Sequence, residues 1–444
     1  MKAGSMRFLS FALLLFLPSL ASAGAPCAAS FGQAAADCVY PGGGENYSDD
    51  KFLLELERRS FLYFAENTDT RTGLVKDRSP ADGSGAGSAD VASIAATGFG
   101  LSALCVGAEN GWLSRPEAES RARRTLQFLV ERSTSVHGWL YHFTDQAGNR
   151  VWNSEVSSID TGLLLAGVLT AKGCFQDDAA LVSLADAFYA RIDFKWMLNG
   201  GNTLSHGWYP ESGFLAGNWD TYSEHLFLTL LAIGAPRNAA PPETWKAWKR
   251  EVRSYSGYTY VGAAAPLFVH QYPQAWLDLR HVRDSAAPGE DMFLNSAVAT
   301  AAHKQFCVDI SSRFPSYTPQ VWGITASDGK EGYHAWGGPP ATPDIDGTVV
   351  PCAAGGSLMF TPGLALPALQ AMQARWGAKI WKHYGFVDAF NPVSGWYDAN
   401  TLGIDAGITL LSAENLRSGA VWRWFMSNPE PLRAMELTGL APAR

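Results

Sequence analysis

The sequence predicts an all-α fold, an (α/α)6 toroid in which inner helices are ringed by outer ones. Three observations carry this. Apolar residues recur at helical spacing in segment after segment, while the strict alternation of a half-buried strand is scarce. Long loops rich in Gly, Trp and Asp return after roughly every second helix, and loops of that length are uncommon unless they work. No strict sequence period repeats, which disfavours a helical solenoid.

The elements follow in order. Residues 1–23 read as a signal peptide. Lys2 and Arg7 give a basic start, Phe8 to Leu20 a short apolar run, and Ala21-Ser22-Ala23 a cleavage site. The run is too short to favour a membrane span. Residues 24–49 form a polar arm in which Cys27 and Cys38 can pair in an oxidising compartment. Residues 50–444 show no linker or composition break and read as one domain. Helices are expected over Lys51–Glu66, Ser88–Val106 and Ser114–Glu131, the last opened by Ser114-Arg115-Pro116-Glu117 as a capping box. Ser158–Ala171, Asp178–Arg191, Tyr222–Ile233 and Pro242–Arg253 follow. Then come Asp291–Asp309, Thr361–Trp376, Asp405–Leu416, Arg417–Met426 and Pro429–Leu437. Cys105 and Cys307 sit inside apolar helical patterns, as buried free thiols do.

Composition narrows the function. The chain is 47% hydrophobic and 17% charged, with a net charge of −8. The excess of acid argues against nucleic acid and anionic membrane as partners, both of which call for basic patches. Sixteen Trp and fifteen Tyr are present, and many lie in Gly- and Asn-rich loops, among them Trp139, Tyr141, Trp152, Trp208, Tyr209, Trp219, Trp336, Trp396 and Tyr397. Rings beside Asp, Asn and His suit stacking on sugars, although each ring alone can equally close the edge of the core.

The chemistry concentrates at helix starts. In Trp152–Leu165, Ser157 or Ser158 can cap the following helix, and Asp160 falls in its first turn, where the dipole favours negative charge. Glu155 lies just upstream. Two acids and an indole at one helix mouth suit glycoside chemistry, which uses paired carboxyls. Asp160 as a plain helix stabiliser is the alternative. Trp219-Asp220-Thr221-Tyr222-Ser223-Glu224-His225 leads into another apolar run. Burial against rings would raise the Glu224 pKa, whereas a helix N-terminus would lower it. Asp405 precedes a third such run. His206, His270, His334 and His383 show no paired metal spacing, and no phosphate loop or nucleophile elbow appears. No metal and no organic cofactor are expected.

Ordered motifs then carry a resemblance. Ser93–Leu101, Tyr141-His142-Phe143, Glu155–Asp160 and Pro266–Tyr272 are four of them. Gly323–Gly329, Asp346–Pro351, Ile404-Asp405-Ala406-Gly407 and Glu414–Gly419 continue the series. Together they resemble the glycoamylase-like family of bacterial glycoside hydrolases, whose members include endo-β-1,2-glucanases and a module of cyclic β-1,2-glucan synthases. The resemblance runs from about Asp50 to Met426. It implies the toroid, hydrolysis of β-1,2-glucan with inversion, and a general acid at Glu224. It implies acidic positioning or water-activating residues at Asp160 and Asp405. The substrate-binding set expected with it is Glu155, Trp152, Tyr141, Trp208, Trp219, Tyr222, His270, Gln271, Tyr272, Asp328, Tyr333, Trp336 and Arg417. One departure stands out: Asp405-Ala406-Gly407-Ile408 replaces the family's usual Asp-Gln-Gly-Pro.

The resulting expectation is a periplasmic or secreted, monomeric endo-β-1,2-glucanase without cofactor or membrane insertion. An exo-acting disaccharide-releasing hydrolase and a transglycosylase are rivals within the enzyme class. A non-catalytic glucan-binding protein is the rival outside it.

Overall fold

The computed structural model describes residues 47–442, apart from 86–90, 264–265, 287–290 and 343. The expected signal peptide and the Cys27–Cys38 pair lie outside these residues. Among the described residues, no helix is long and apolar enough to cross a membrane.

Helices dominate. Ile94–Glu109, Ser158–Cys174, Leu226–Gly234, Phe268–Trp276, Pro351–Gly355 and Gly403–Arg417 are buried on nearly every side. A helix that is apolar all round has no solvent face and must sit inside others. They succeed one another in space much as in sequence. Ile94–Glu109 packs on Ser158–Cys174, which packs on Leu226–Gly234, which packs on Phe268–Trp276. Phe268–Trp276 and Pro351–Gly355 both meet Gly403–Arg417, and that helix returns to Ile94–Glu109. Amphipathic helices cover them: Lys51–Glu66 lies on Gly403–Arg417, and Arg115–Glu131 lies on Ile94–Glu109 and Ala179–Ala190.

One tight crossing is made by a pair of glycines. A methyl group built on Gly167 would lie 2.0 Å from the Gly98 carbonyl oxygen, and one on Gly98 would lie 2.3 Å from the Leu163 carbonyl oxygen. Only hydrogen fits at either position, so the two backbones touch. The main core extends in sequence from Phe61 to Leu440. Cys105, Cys174, Cys307 and Cys352 are buried and free, as expected for Cys105 and Cys307.

The connections differ from the all-α expectation. They carry short antiparallel strands of two to four residues. Ala92–Ser93 pairs with Phe143–Thr144, Val156–Ser157 with Gly207–Tyr209, and Arg78–Pro80 with Asn400–Leu402. Ser93, Ser157 and Leu402 are also the N-cap residues of three inner helices. Strands this short contain too few residues to show an alternating pattern. The helix expected over Pro242–Arg253 is cut to Thr244–Ala247. Val252–Tyr255 instead forms a hairpin with Tyr258–Val261. Ser256 and Gly257 turn it, with φ of 48° and 87°, the left-handed pair a tight hairpin requires. Phe268–Trp276 is a helix the sequence did not announce. Its residues from Val269 to Trp276 are all buried, it is only nine residues long and Pro273 interrupts it, and a proline inside so short a run argues against a helix in the sequence. The helix expected from Tyr222 begins at Leu226, which leaves Glu224 in the preceding turn.

Candidate active site

Three inner helices present a carboxylate at or just before their first turn. The Ser157 hydroxyl accepts the Asp160 N–H at 3.2 Å, capping Ser158–Cys174 as expected, and donates to the Asp160 carboxylate. The Phe143 strand brings His142 alongside. Its Nε2 lies 3.4 Å from Asp160 Oδ1 and its Nδ1 3.0 Å from Glu155 Oε1. Burial alone would lower the His142 pKa, but the charges of Asp160 and Glu155 outweigh it and hold the imidazolium to about 9. Burial also pushes Glu155 up, and His142 reverses that, so Glu155 ends below the ordinary glutamate value. Asp160 stays above its ordinary value because burial outweighs His142 and Ser157.

Glu224 faces this group. Only 8% of it is exposed, and the Ser223 hydroxyl bonds it. Burial raises its pKa, and the neighbouring Asp160 charge raises it further. The competition between burial and helix dipole left open by the sequence is therefore won by burial. Trp219 and Tyr222 frame the turn. Trp219 Nε1 donates to Ser158 Oγ at 2.9 Å, and the Tyr222 hydroxyl meets His270 Nδ1 at 3.0 Å. Burial depresses His270 to about 3, so its ring is neutral.

Asp405 occupies the first turn of Gly403–Arg417 and is buried. Asp388 and the Cys352 thiol lie beside it. Burial raises its pKa and these two partners pull it back. Asp388 is more strongly raised, by burial and then by Asp405. Asp388 Oδ2 accepts the Asp328 N–H at 2.7 Å. Asp328 pairs with Arg78 at 2.5 Å, and Arg78 pairs with Asp77 at 3.0 Å. Asp398, close by, is lifted by burial to about 6. Tyr272 joins the two halves. Burial raises its hydroxyl, and the charges of Asp405 and Glu224 both add to the rise. Tyr333 is half exposed, but its hydroxyl is raised by burial and by Asp405 and Asp388.

The remaining expected residues divide. Trp152 is 66% exposed with a left-handed φ of 54°, edge-on to Phe143, which stacks on His142 at 3.8 Å. It is an open platform at the rim of the Asp160 group. Trp208 is half-buried and packs on Trp196. Tyr141 is buried beneath Arg150, with the guanidinium carbon 5.1 Å from its ring centre. Three expectations are corrected. Gln271 is fully buried and donates to the Ala353 carbonyl and Ser357, so it ties two helices together. Trp336 is buried in a second core cluster, where His334 stacks on it. Arg417 closes the far end of its helix. It binds the Ser48 carbonyl and pairs with Glu57 and Glu414, and twelve residues of helix, about 18 Å, separate it from Asp405. An exposed motif match and a buried structural one look alike in sequence. His142, Asp388 and Arg78 join the site without a sequence signal of their own. His142 lies within the Tyr141-His142-Phe143 motif, but nothing local marks its meeting with Glu155 and Asp160.

Two groups have spacing a cation could use: His142, Glu155 and Asp160, and Asp328, Asp388 and Asp398, whose ligand atoms lie within 4.8 Å of one another. In each, a protein cation already stands among the carboxylates, imidazolium in the first and Arg78 in the second. The donor sets are built around those cations, and we assign neither to a metal.

The chain is similar to known proteins over most of its length. Residues 217–429 match the Glycoamylase family model, described as "Putative glucoamylase". An exo beta-1,2-glucooligosaccharide sophorohydrolase (non-reducing end) of Parabacteroides distasonis is 24% identical over 428 residues. That match covers 88% of this chain but only 58% of the relative's length. An endo-beta-1,2-glucanase from Chitinophaga pinensis, solved with sophorotriose and glucose, superposes with a TM-score of 0.79 at 26% identity. The match covers 88% of this chain and 97% of that one. A structure described as a "putative glucoamylase" from Bacteroides uniformis gives 0.82 at 25% identity, covering 90% and 99%. The family model matches just under half of the chain, and with the ordered motifs and these structures it makes the chain similar to the glycoamylase-like family.

Proposed function

We propose that the protein is a glycoside hydrolase that cleaves β-1,2-glucan within the chain, inverting the anomeric carbon. One observation carries the proposal: a buried, raised Glu224 is placed between a second carboxylate, Asp160, and a tyrosine shared with a third, Asp405. Burial and Asp160 both disfavour the Glu224 anion and raise its pKa, which favours the protonated form a general acid needs. It is the general acid for the leaving oxygen. Asp405, drawn toward its anion by hydrogen bonds from its neighbours, activates water from the other side. Asp160, Glu155 and His142 orient the sugar, and Trp152 offers it a face. The inner and covering helices form the (α/α)6 toroid, residues 50–444 act as one catalytic domain and as a monomer, and export to the periplasm or beyond goes with the leader-like residues 1–23. Neither metal nor cofactor takes part. The relatives named for β-1,2-linked substrates support the linkage.

Incubation with linear β-1,2-glucan tests this. We expect a ladder of short oligosaccharides whose first-formed reducing ends are α by NMR, before mutarotation. Disaccharide alone would move the protein to the exo-acting reading. A β first product would mean retention. No cleavage of any β-glucan would leave a glucan-binding protein.

A further inference from the structure

Two buried carboxylate oxygens face a shortage of donors. Asp388 Oδ1 and Asp405 Oδ2 are shielded from solvent, and neither has a hydrogen-bond partner of the ordinary kind. A buried acceptor without a donor is costly, and more so when charged. Both residues line the same small cavity of about 20 Å³, beneath the first turn of Gly403–Arg417. The other Asp388 oxygen is committed, since it accepts the Asp328 N–H at 2.7 Å. A proton on Asp388 therefore has one place to sit, Oδ1, and a bond from there to Asp405 satisfies both orphans at once.

We infer that Asp388 is a positioning residue. It is a neutral carboxylic acid that donates its Oδ1–H to Asp405, fixing that carboxylate as an anion for the reaction proposed above. The inference rests on that reading for the role of Asp405, but not for the shared proton. The electrostatics agree, because the bond raises Asp388 and lowers Asp405. The Cys352 thiol is the second donor to the same carboxylate. With two neutral donors behind it, Asp405 keeps its remaining lone pairs for the side of Tyr272 and Tyr333.

The neutral form of Asp388 separates this from a charged role. An asparagine can reproduce it: the amide N–H donates to Asp405 and the amide oxygen accepts the Asp328 N–H. Leucine has similar size and can do neither. We expect Asp388→Leu to lose roughly 10- to 100-fold in kcat, the usual worth of a hydrogen bond to a charged group. KM should change little, and Asp388→Asn should stay at least roughly tenfold more active than Asp388→Leu. Asp388→Asn as inactive as Asp405→Asn, or Asp388→Leu as active as the unaltered enzyme, would overturn the inference. If Asp388→Leu does not fold, the contrast between Asp388→Asn and Asp405→Asn decides. A second measurement needs no turnover. In protein labelled with ¹³C at the aspartate carboxyl, one resonance should remain in the protonated range at neutral pH and vanish in Asp388→Asn. Its persistence there would overturn the shared proton. Its loss in a chain that cleaves no glucan would uphold the proton and reject only the glucanase reading.

Discussion

The Asp160 and Asp405 pockets meet the same problem in opposite ways. Each buries a carboxylate in the first turn of an inner helix, and each places a second acid beside it. In the Asp160 pocket a histidine lies between the acids, and an imidazolium compensates them. In the Asp405 pocket the nearest partners are another acid and a thiol, and a proton compensates them. A cation keeps both neighbours ionised while it lasts. A shared proton keeps one ionised at the expense of the other. The difference teaches that buried acids of one helix position can be given different charge states by what loops bring alongside.

The largest effect should come from Glu224, which stands between the pockets. Glu224→Gln keeps shape but carries no transferable proton. We expect kcat to fall by ~10²–10⁴-fold in a folded protein that still binds glucan. Near-normal turnover would break the assignment. Asp405→Asn should cost a similar factor, while the Glu224→Gln/Asp405→Asn double variant should lose far less than the product of the two. Full multiplicative loss would show that the two do not act as a unit.

His142 sharpens the contrast through pH. Its folded pKa is raised to about 9 from an ordinary 6.5. Its contribution to stability is therefore complete below about 6.5 and lost as pH rises toward about 9. We expect the melting temperature to decline across that window, and the decline to flatten in His142→Gln. Activity should show an alkaline limb that the same substitution removes. An unchanged pH profile would mean that the imidazolium does not hold the Asp160 pocket.

Smaller effects are expected at the rims. Tyr333→Phe removes a hydroxyl near Asp405 and Asp388 and should lower kcat by less than about tenfold, within the worth of one hydrogen bond. Trp152→Ala should leave the melting temperature nearly unaltered, as most exposed substitutions do, within about 0.5 kcal/mol. Its effect should appear as a raised KM for glucan. A stability loss without a KM change would make Trp152 a structural ring.

Much of this was legible in the chain. Lys51–Glu66 is found as expected, and Ser157 caps the helix that carries Asp160 because cap and first turn are neighbours in sequence. Glu224 and Asp405 were reached through motifs. What failed was non-local or masked by burial. Phe268–Trp276 is short and broken by Pro273, which in sequence argues against a helix. Arg417 and Gln271 look like site residues until the packing shows them bonded to Glu57 and to Ala353. The Asp388–Asp405 and His142–Asp160 pairs join residues on different elements, and only the fold brings them together.

The short strand pairs that end at Ser93, Ser157 and Leu402 have a further consequence. Each stitches a loop to the cap of an inner helix, so Asp160 and Asp405, in the first turns after Ser157 and Leu402, are registered by the stitches and not by the loop tips. A loop tip beyond them, such as Asp145–Asn149 past the Phe143–Thr144 strand, can lengthen or shrink without shifting Asp160. In the proposed hydrolase, bond breaking and the reach along a sugar chain thereby fall to separate parts of one molecule, and the loops can diversify while the chemistry stays fixed.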